Sequence, residues 1–422
     1  MNTKIFFVVG LMVLVLIAAA FGGWYFYISK KQSEVTNEST FRGLGASIPS
    51  FDGIGGSLRG NMEETFTEGE LVTKDIATST TESLPPPKLW RVSKVPTAGV
   101  YVVAQKKTAT AFFVDRATGN IFRTSPGKEP VRVTNTLIPY VQDVEWFDEK
   151  TLVLRHPDES GLGLLYFAAV ISYQTTTPGS ASSSSVATLQ GSYLPKETIS
   201  VATNPAKKSP QLLYLVREKS GSSIGVTSDI KLKNPQRVWA SSLSGWVLSW
   251  VSEKQVVFRQ KSAEGISGSS YSLSLPEKVL SSLIGNKDGL SVSASQSGDS
   301  FLYSTAINGK VQLYLKNTTS DHVLDITTFA DKCVWGNGDT AYCAVPDALP
   351  ETSLPDAWYR GEVHTNDRWF SINGRDGSVS EIVSPESDFG TSIDVVRPKM
   401  DPTGQYIIFT DAVQGTGWVL TI

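Results

Sequence analysis

From Lys88 to the last residue, apolar and polar positions alternate in short runs, and Gly, Asn, Asp and Pro separate the runs. The stretch "VQLYLKN" (311–317) puts Val311, Leu313 and Leu315 on one side and Gln312, Tyr314 and Lys316 on the other. A period of two is that of a half-buried strand, because successive side chains point to opposite faces of a sheet. No stripe of helical period persists for three turns after residue 88, so this part of the chain is predicted to be all-β.

The runs also repeat. "TATAFFVDRATGNIFRTS" (108–125), "QLLYLVREKSGSSIGVTSD" (211–229), "DSFLYSTAINGKVQLYLKN" (299–317) and "GQYIIFTDAVQGTGWVLTI" (404–422) are each an apolar strand, a glycine-containing turn and a second strand. A further strand follows most of these hairpins ("VRVTN" at 131, "QRVWAS" at 236, "HVLDIT" at 322), and another precedes them ("AGVYVVAQ" at 98, "LSVSASQ" at 290). Four-stranded units starting near residues 98, 141, 198, 246, 290, 332 and 391 account for the pattern. Their spacing of about 42 to 59 residues is that of β-propeller blades. Seven blades are expected, with six or eight as the alternatives, because insertions distort the second and sixth units. A blade buries its faces only against its neighbours, so the ring must close. The last unit supplies three strands and "LWRVS" (89–93) has no blade of its own, so this segment is expected to pair with the final hairpin and protect its edge.

The N-terminal region has a different pattern. "IFFVVGLMVLVLIAAAFGGWYFYI", from Ile5 to Ile28, carries no charge. As a helix it would be roughly 36 Å long, enough to cross a hydrocarbon core of about 30 Å. Trp24, Tyr25 and Tyr27 cluster at one end, as in an interfacial aromatic belt. The rival reading is a signal peptide cleaved near Ala18-Ala19-Ala20, but the apolar run continues past that point. Residues 1–31 are therefore expected to be a single transmembrane anchor, and 88–422 the propeller. Residues 32–87, rich in Gly, Ser, Thr and Pro and ending in Pro85-Pro86-Pro87, are expected to be a disordered linker. Lys4 precedes the span and Lys30 and Lys31 follow it, so charge alone does not orient it.

Composition narrows the function classes. The net charge is −3, without the basic clusters of a nucleic-acid binder. The three histidines, His156, His322 and His364, are far apart, and the sequence has no zinc-ligand spacing. It also has no nucleophile elbow, Walker loop or dinucleotide fingerprint. No metal, cofactor or catalytic residue is assigned, and a non-enzymatic protein is expected. Because two placed carboxylates suffice for glycoside cleavage, a glycan-binding or glycan-cleaving propeller is the alternative. Asp143, Glu145, Asp148, Asp356, Asp367 and Asp394 are the acids in view, read mostly as turn or rim residues.

Two places stand out as candidate sites. In "CVWGNGDTAYC", a hairpin centred on Gly338 puts Cys333 opposite Cys343. Cross-strand neighbours lie about 4.5–5.5 Å apart, within the ~4.4–6.8 Å that a disulfide accepts between Cα atoms. A structural bridge is expected, with buried free thiols as the alternative. A bridge implies an oxidising compartment outside the cytoplasmic membrane. The second place is an insertion, "DALPETSLPDAWYRGEVHTND" (347–367), between the second and third strands of the sixth blade. Trp358, Tyr359 and Arg360 are types enriched in binding hot spots and form a candidate partner-binding loop. The alternative is that the two aromatics fold back and cap the blade. "TTTPGSASSSSVATLQGS" (175–192) is read as a solvated loop of the second blade, and Trp246, Trp250 and Trp335 as wedges between blades.

"DPTGQYIIFTD" (401–411) and "SQSGDSFLYST" (295–305) resemble the turn and second strand of a TolB-type, WD-repeat-like β-propeller blade. Together with "RVTNTLIP" (132–139), "CVWGNGDTAYCAVP" and "LPDAWYRG" (354–361), they make the chain similar to uncharacterised bacterial membrane-anchored envelope propeller proteins. That group has no established activity, so the resemblance implies a location and a fold but no mechanism. The expectation is a membrane-tethered propeller on the extracytoplasmic side of the cell membrane, binding a protein partner or an envelope component, with no nucleic acid.

Overall fold

The computed structural model describes residues 85–105, 108–173, 187–204 and 209–422. The expected anchor and nearly all of the expected linker lie outside the described residues. Among those described, no helix is long and apolar enough to cross a membrane.

Seven four-stranded antiparallel sheets form a seven-bladed propeller. In six of them the strands follow chain order from the innermost strand outward. The first strands are Thr97–Gln105, Asp143–Trp146, Thr198–Thr203, Trp246–Ser252, Ser291–Ala294, Cys333–Trp335 and Val395–Met400. The blade starts read from periodicity fall within a few residues of these. The last is displaced furthest because a helical turn, Pro385–Phe389, precedes it, with the Ser384 hydroxyl accepting from the Ser387 N–H at its start.

The seventh blade is completed from the other end of the domain. Leu89–Arg91 pairs with Gly417–Thr421, in the register Leu89 to Leu420, Trp90 to Val419 and Arg91 to Trp418. The expected closure is therefore present, and the last blade has its fourth strand. Leu89 and Trp90 are buried in the cores on either side of that blade.

The cores sit between blades. Leu213 and Leu215 of the third blade meet Trp246, Trp250 and Phe258 of the fourth. Trp335 of the sixth packs with Leu302, Leu313 and Leu315 of the fifth, and its indole N–H donates to the Ser293 carbonyl at 3.1 Å. These tryptophans are the wedges that their spacing predicted. Each large side chain there excludes water from two sheets at once, at about 25 cal/mol per Å² of apolar surface removed from water.

The hairpin of the sixth blade has the register read from its sequence. Cys333 pairs with Cys343, Val334 with Tyr342 and Trp335 with Ala341. Gly338 at the turn has φ 101°, a conformation that side chains with a Cβ rarely adopt. The Cys333–Cys343 disulfide is formed, with Cα atoms 4.1 Å apart.

The second blade corrects one reading. Its outer strand is Thr188–Tyr193, so the end of the supposed solvated loop pairs with Leu164–Ser172. Backbone pairing to an existing edge outweighs the low intrinsic strand preference of "LQGS". Residues 174–186 lie outside the described residues.

Strand direction alternates within each blade. Turns between second and third strands, and connections from one blade to the next, therefore open on a single face. This face, at which the first strands begin, is the entry face.

Candidate functional site

The insertion is built onto the entry face. It leaves the strand Thr340–Pro346, makes one helical turn at Asp356–Tyr359, and returns at the strand Asp367–Asn373. Turns of neighbouring blades hold it. The Glu264 N–H of the fourth blade donates to Asp356 Oδ2 at 2.6 Å. The Gly309 N–H of the fifth donates to Glu264 Oε1 at 2.9 Å, and the Ser353 hydroxyl donates to the same carboxylate. Leu354 and Trp358 pack with Ala306, Val311 and Phe329 into a core of their own. The Trp358 ring stacks on Phe329 with centroids 5.1 Å apart.

Beneath Trp358 lies a buried charged cluster. Lys332 is 0% exposed, and its Nζ donates to Asp367 Oδ2 at 2.5 Å, Asp394 Oδ1 at 2.7 Å and the Thr365 hydroxyl at 2.8 Å. The ammonium also stands 4.8 Å from the Trp358 ring centroid. Asp394 accepts further bonds from the Trp358 indole N–H at 3.1 Å and the Thr365 hydroxyl at 2.9 Å, and His364 Nδ1 lies 3.1 Å from its other oxygen. Burial pushes the Asp394 carboxyl up, but Lys332 and these donors outweigh it and hold the group below its ordinary range. Asp367 goes the other way, because burial is only partly offset by Lys332 and the Val395 N–H. Asp367 and Asp394, read from sequence as turn or rim residues, are thus corrected to interior ones. They sit where the sixth and seventh blades and the insertion meet, and a single lysine from the blade entry is shared between them.

Trp358 is 7% exposed and faces inward. Tyr359 is half-buried, and its hydroxyl donates to Asp331, which Arg259 of the fourth blade also holds at 2.5 Å. Burial and the Asp331 charge push the Tyr359 phenol well above its ordinary value. Arg360 is on the surface, paired with Glu362 at 2.5 Å. The two aromatics pack inward over the blade, and that packing fixes the shape of the loop that carries Arg360. Asp356 is likewise tied to the fourth blade.

A second polar group lies at the channel mouth on the same face, and the sequence offered no signal for it beyond scattered charges. Arg397 and Lys399 of the seventh blade reach past the first blade to the second, with Arg397 Nη1 2.7 Å from Asp143 Oδ1 and Lys399 Nζ 2.8 Å from Glu145 Oε2. Gly99 of the first blade lines the same cleft as Arg397 and Lys399, and a Cβ on it would come 3.0 Å from the Val144 side chain. Arg397 has φ 55°, and the strand register slips between Val396 and Lys399. A bulge of this kind turns one side chain out of the ladder, and Pro398 has no N–H to restore the pairing. Burial raises Asp143, but Arg397, Lys399 and Arg155 outweigh it and lower its proton affinity. Both carboxylates near the channel are therefore paired to cations. Among the described residues, no group of three or more metal-ligating side chains converges.

No protein-family model matches the sequence. No curated protein matches it either. Solved structures do, at the level of fold. Oligogalacturonate lyase from Vibrio parahaemolyticus is 9% identical over 80% of this chain and 98% of its own, with a TM-score of 0.42. TolB from Acinetobacter baumannii is 11% identical over 76% and 78%, at 0.40. A puromycin-hydrolysing peptidase from Mycobacterium tuberculosis is 10% identical over 75% of this chain and 50% of its own, at 0.46. The TolB-type resemblance read from the blade motifs is met by this comparison. The expectation of a non-enzymatic protein is corrected by it, because solved structures similar to this chain include a lyase and a peptidase. The chain is a seven-bladed β-propeller.

Proposed function

We propose that the protein is a membrane-tethered propeller that binds a protein partner of the cell envelope through its entry face. The observation that carries this reading is where exposed apolar side chains fall. Leu137 and Tyr140 stand on the connection from the first to the second blade, Leu162 and Ile266 on second-to-third turns, Phe389 before the last blade and Val413 within it. Every one of them opens on the entry face. Leu137 and Tyr140 are each 72% exposed and Leu162 is 94% exposed. Single exposed apolar residues carry no meaning, but their concentration on one face supports an interaction surface there. Fewer lie on the opposite face, among them Tyr173, Val279 and Leu280. The insertion, capped by Trp358 and presenting Arg360, adds relief to the same side.

Tethering by the apolar segment 5–28 and an extracytoplasmic location belong to this proposal. The formed disulfide supports the location, since such bridges persist in oxidising compartments. The test places photo-crosslinking side chains at Tyr140, Ile266 and Phe389, and at Leu280 as the opposite-face reference, in the full chain within its native membrane. Capture of a protein from the first three positions and not from Leu280 is expected. Equal capture from both faces, or none from the entry face, would remove this reading. In the same intact cells a membrane-impermeant amine reagent should label the propeller lysines, and labelling that requires lysis would overturn the location.

A further inference from the structure

The channel mouth holds more positive charge than its own acids neutralise. Arg116 stands at the second-to-third turn of the first blade, Arg155 on the second strand of the second blade, and Arg397 and Lys399 on the first strand of the seventh. The carboxylates that face them are Asp143 and Glu145. Asp115, next to Arg116 in the chain, is already committed to the Thr118 hydroxyl at 2.6 Å and the Ala117 N–H at 3.2 Å. Four cations are thus set against two anions.

The pairing is also incomplete atom by atom. Arg397 makes the short contact to Asp143, while Arg155 Nη2 stays 4.0 Å from the other oxygen of that carboxylate. Arg116 Nη2 donates to the Gln142 carbonyl at 3.3 Å, and Arg397 Nη1 approaches the same oxygen at 3.4 Å. The Nε atoms of Arg116 and Arg155 are buried with no hydrogen-bond partner. A buried N–H of a charged group left unpaired is expensive, and like charges this near repel. Burial and the neighbouring Arg397 and Arg155 weaken the hold of Arg116 on its proton, with Asp143 opposing them. The backbone at Arg397, with its positive φ, keeps that guanidinium at the mouth at a conformational cost. Beside them a small cleft lies against the first strand of the first blade, lined by Ala98, Gly99, Asp143, Val144, Arg397 and Lys399.

We propose that this mouth is a binding site for an oxyanion, a carboxylate or phosphate group held between Arg116, Arg155 and Arg397. Guanidinium forks match the paired oxygens of either group and remain charged at any physiological pH. An added anion would offset the excess positive charge, a carboxylate in part and a phosphate more fully, and give the unpaired N–H groups acceptors. The site stands on its own geometry, whatever docks on the rest of the face.

The experiment is thermal unfolding of the purified full chain in sodium citrate and in inorganic phosphate, each against potassium chloride at matched ionic strength. A bound anion raises Tm with the logarithm of its concentration. A concentration-dependent rise in at least one of the two anions is expected, and the stronger response tells carboxylate from phosphate as the source. R116Q and R155Q, made separately, should each weaken the apparent affinity about tenfold or more. Both should keep a cooperative transition, since each removes a charge from a crowded set. No rise beyond chloride in either anion, or a rise of unchanged size in both variants, would overturn the site.

Discussion

Lys332 is a single residue on which three parts of the molecule depend: the entry to the sixth blade, the entry to the seventh and the insertion. An ammonium with no exposed surface survives there because Asp367, Asp394 and Thr365 all accept from it. Removing one partner of such a group leaves the others buried and uncompensated, at about 3–5 kcal/mol. Lys332→Met should therefore lower stability by about that amount in chemical denaturation. A variant that also carries D367N and D394N should recover part of the loss. A loss under about 1 kcal/mol in the single variant would show that water or relaxation already compensates the site. The two acids pull stability in opposite directions with pH. Asp394, held low, contributes above the ordinary carboxylate range and loses that contribution as pH falls through its depressed value. Asp367, held high, contributes below its unfolded value and loses that contribution as pH rises through its raised one. Sequence showed the cysteine pair but not this cluster, for a reason of distance. Cys333 and Cys343 are joined by one turn whose register is local. Lys332 lies 35 and 62 positions from its two acids, and only the ring brings them together.

At the scale of elements, the sixth-blade hairpin and the insertion differ in what positions them. The hairpin is positioned by Gly338 at its turn and by alternation on either side, and the bridge then links two strands that already pair. Closing so short a loop limits the unfolded chain by about 3 kcal/mol on the chain-entropy model. Replacing Cys333 and Cys343 together by Ser should cost on that order, read as a lower denaturant midpoint with a slope equal to or above the parent's. A double variant as stable as the parent under oxidising conditions would show that the bridge adds nothing to the pairing. The insertion follows no period, so its path could not be read from spacing. Trp358 and Tyr359 carry the same side chains in a contact loop as in a cap. What holds them inward is the presence of Phe329, Lys332 and Asp331 beneath them, supplied by other parts of the chain. The outer strand of the second blade shows the same effect in reverse. Thr188–Tyr193 has poor intrinsic strand character, and a waiting edge makes it a strand.

For the molecule as a whole, closure is the main determinant. The fourth strand of the last blade comes from Leu89–Arg91, so opening that seam exposes both a core and a sheet edge. Trp90 is 7% exposed and packs with Val100, Val102, Tyr406 and Ile408 across the seam. Trp90→Ala should cost about 3–5 kcal/mol, as large-to-small changes in cores do. It should also bring concentration-dependent association through the freed edge, seen by light scattering. A loss under about 1 kcal/mol with a monodisperse sample would mean that the ring is held by its other six interfaces and not by this one.

By itself the sequence determined the class of structure, the repeat, the cysteine register and the need for a closing strand, while the count of seven among six, seven or eight was decided by the folded ring. The former follow from short-range rules: alternation sets which face is buried, a glycine sets a turn, and a three-strand remainder requires a partner. The tertiary structure alone decided which acids are interior, which face the insertion covers, and where four cations gather against two carboxylates. Those outcomes depend on through-space burial and charge between residues as far apart as Asp143 and Arg397, and alternation along a strand carries no information about either.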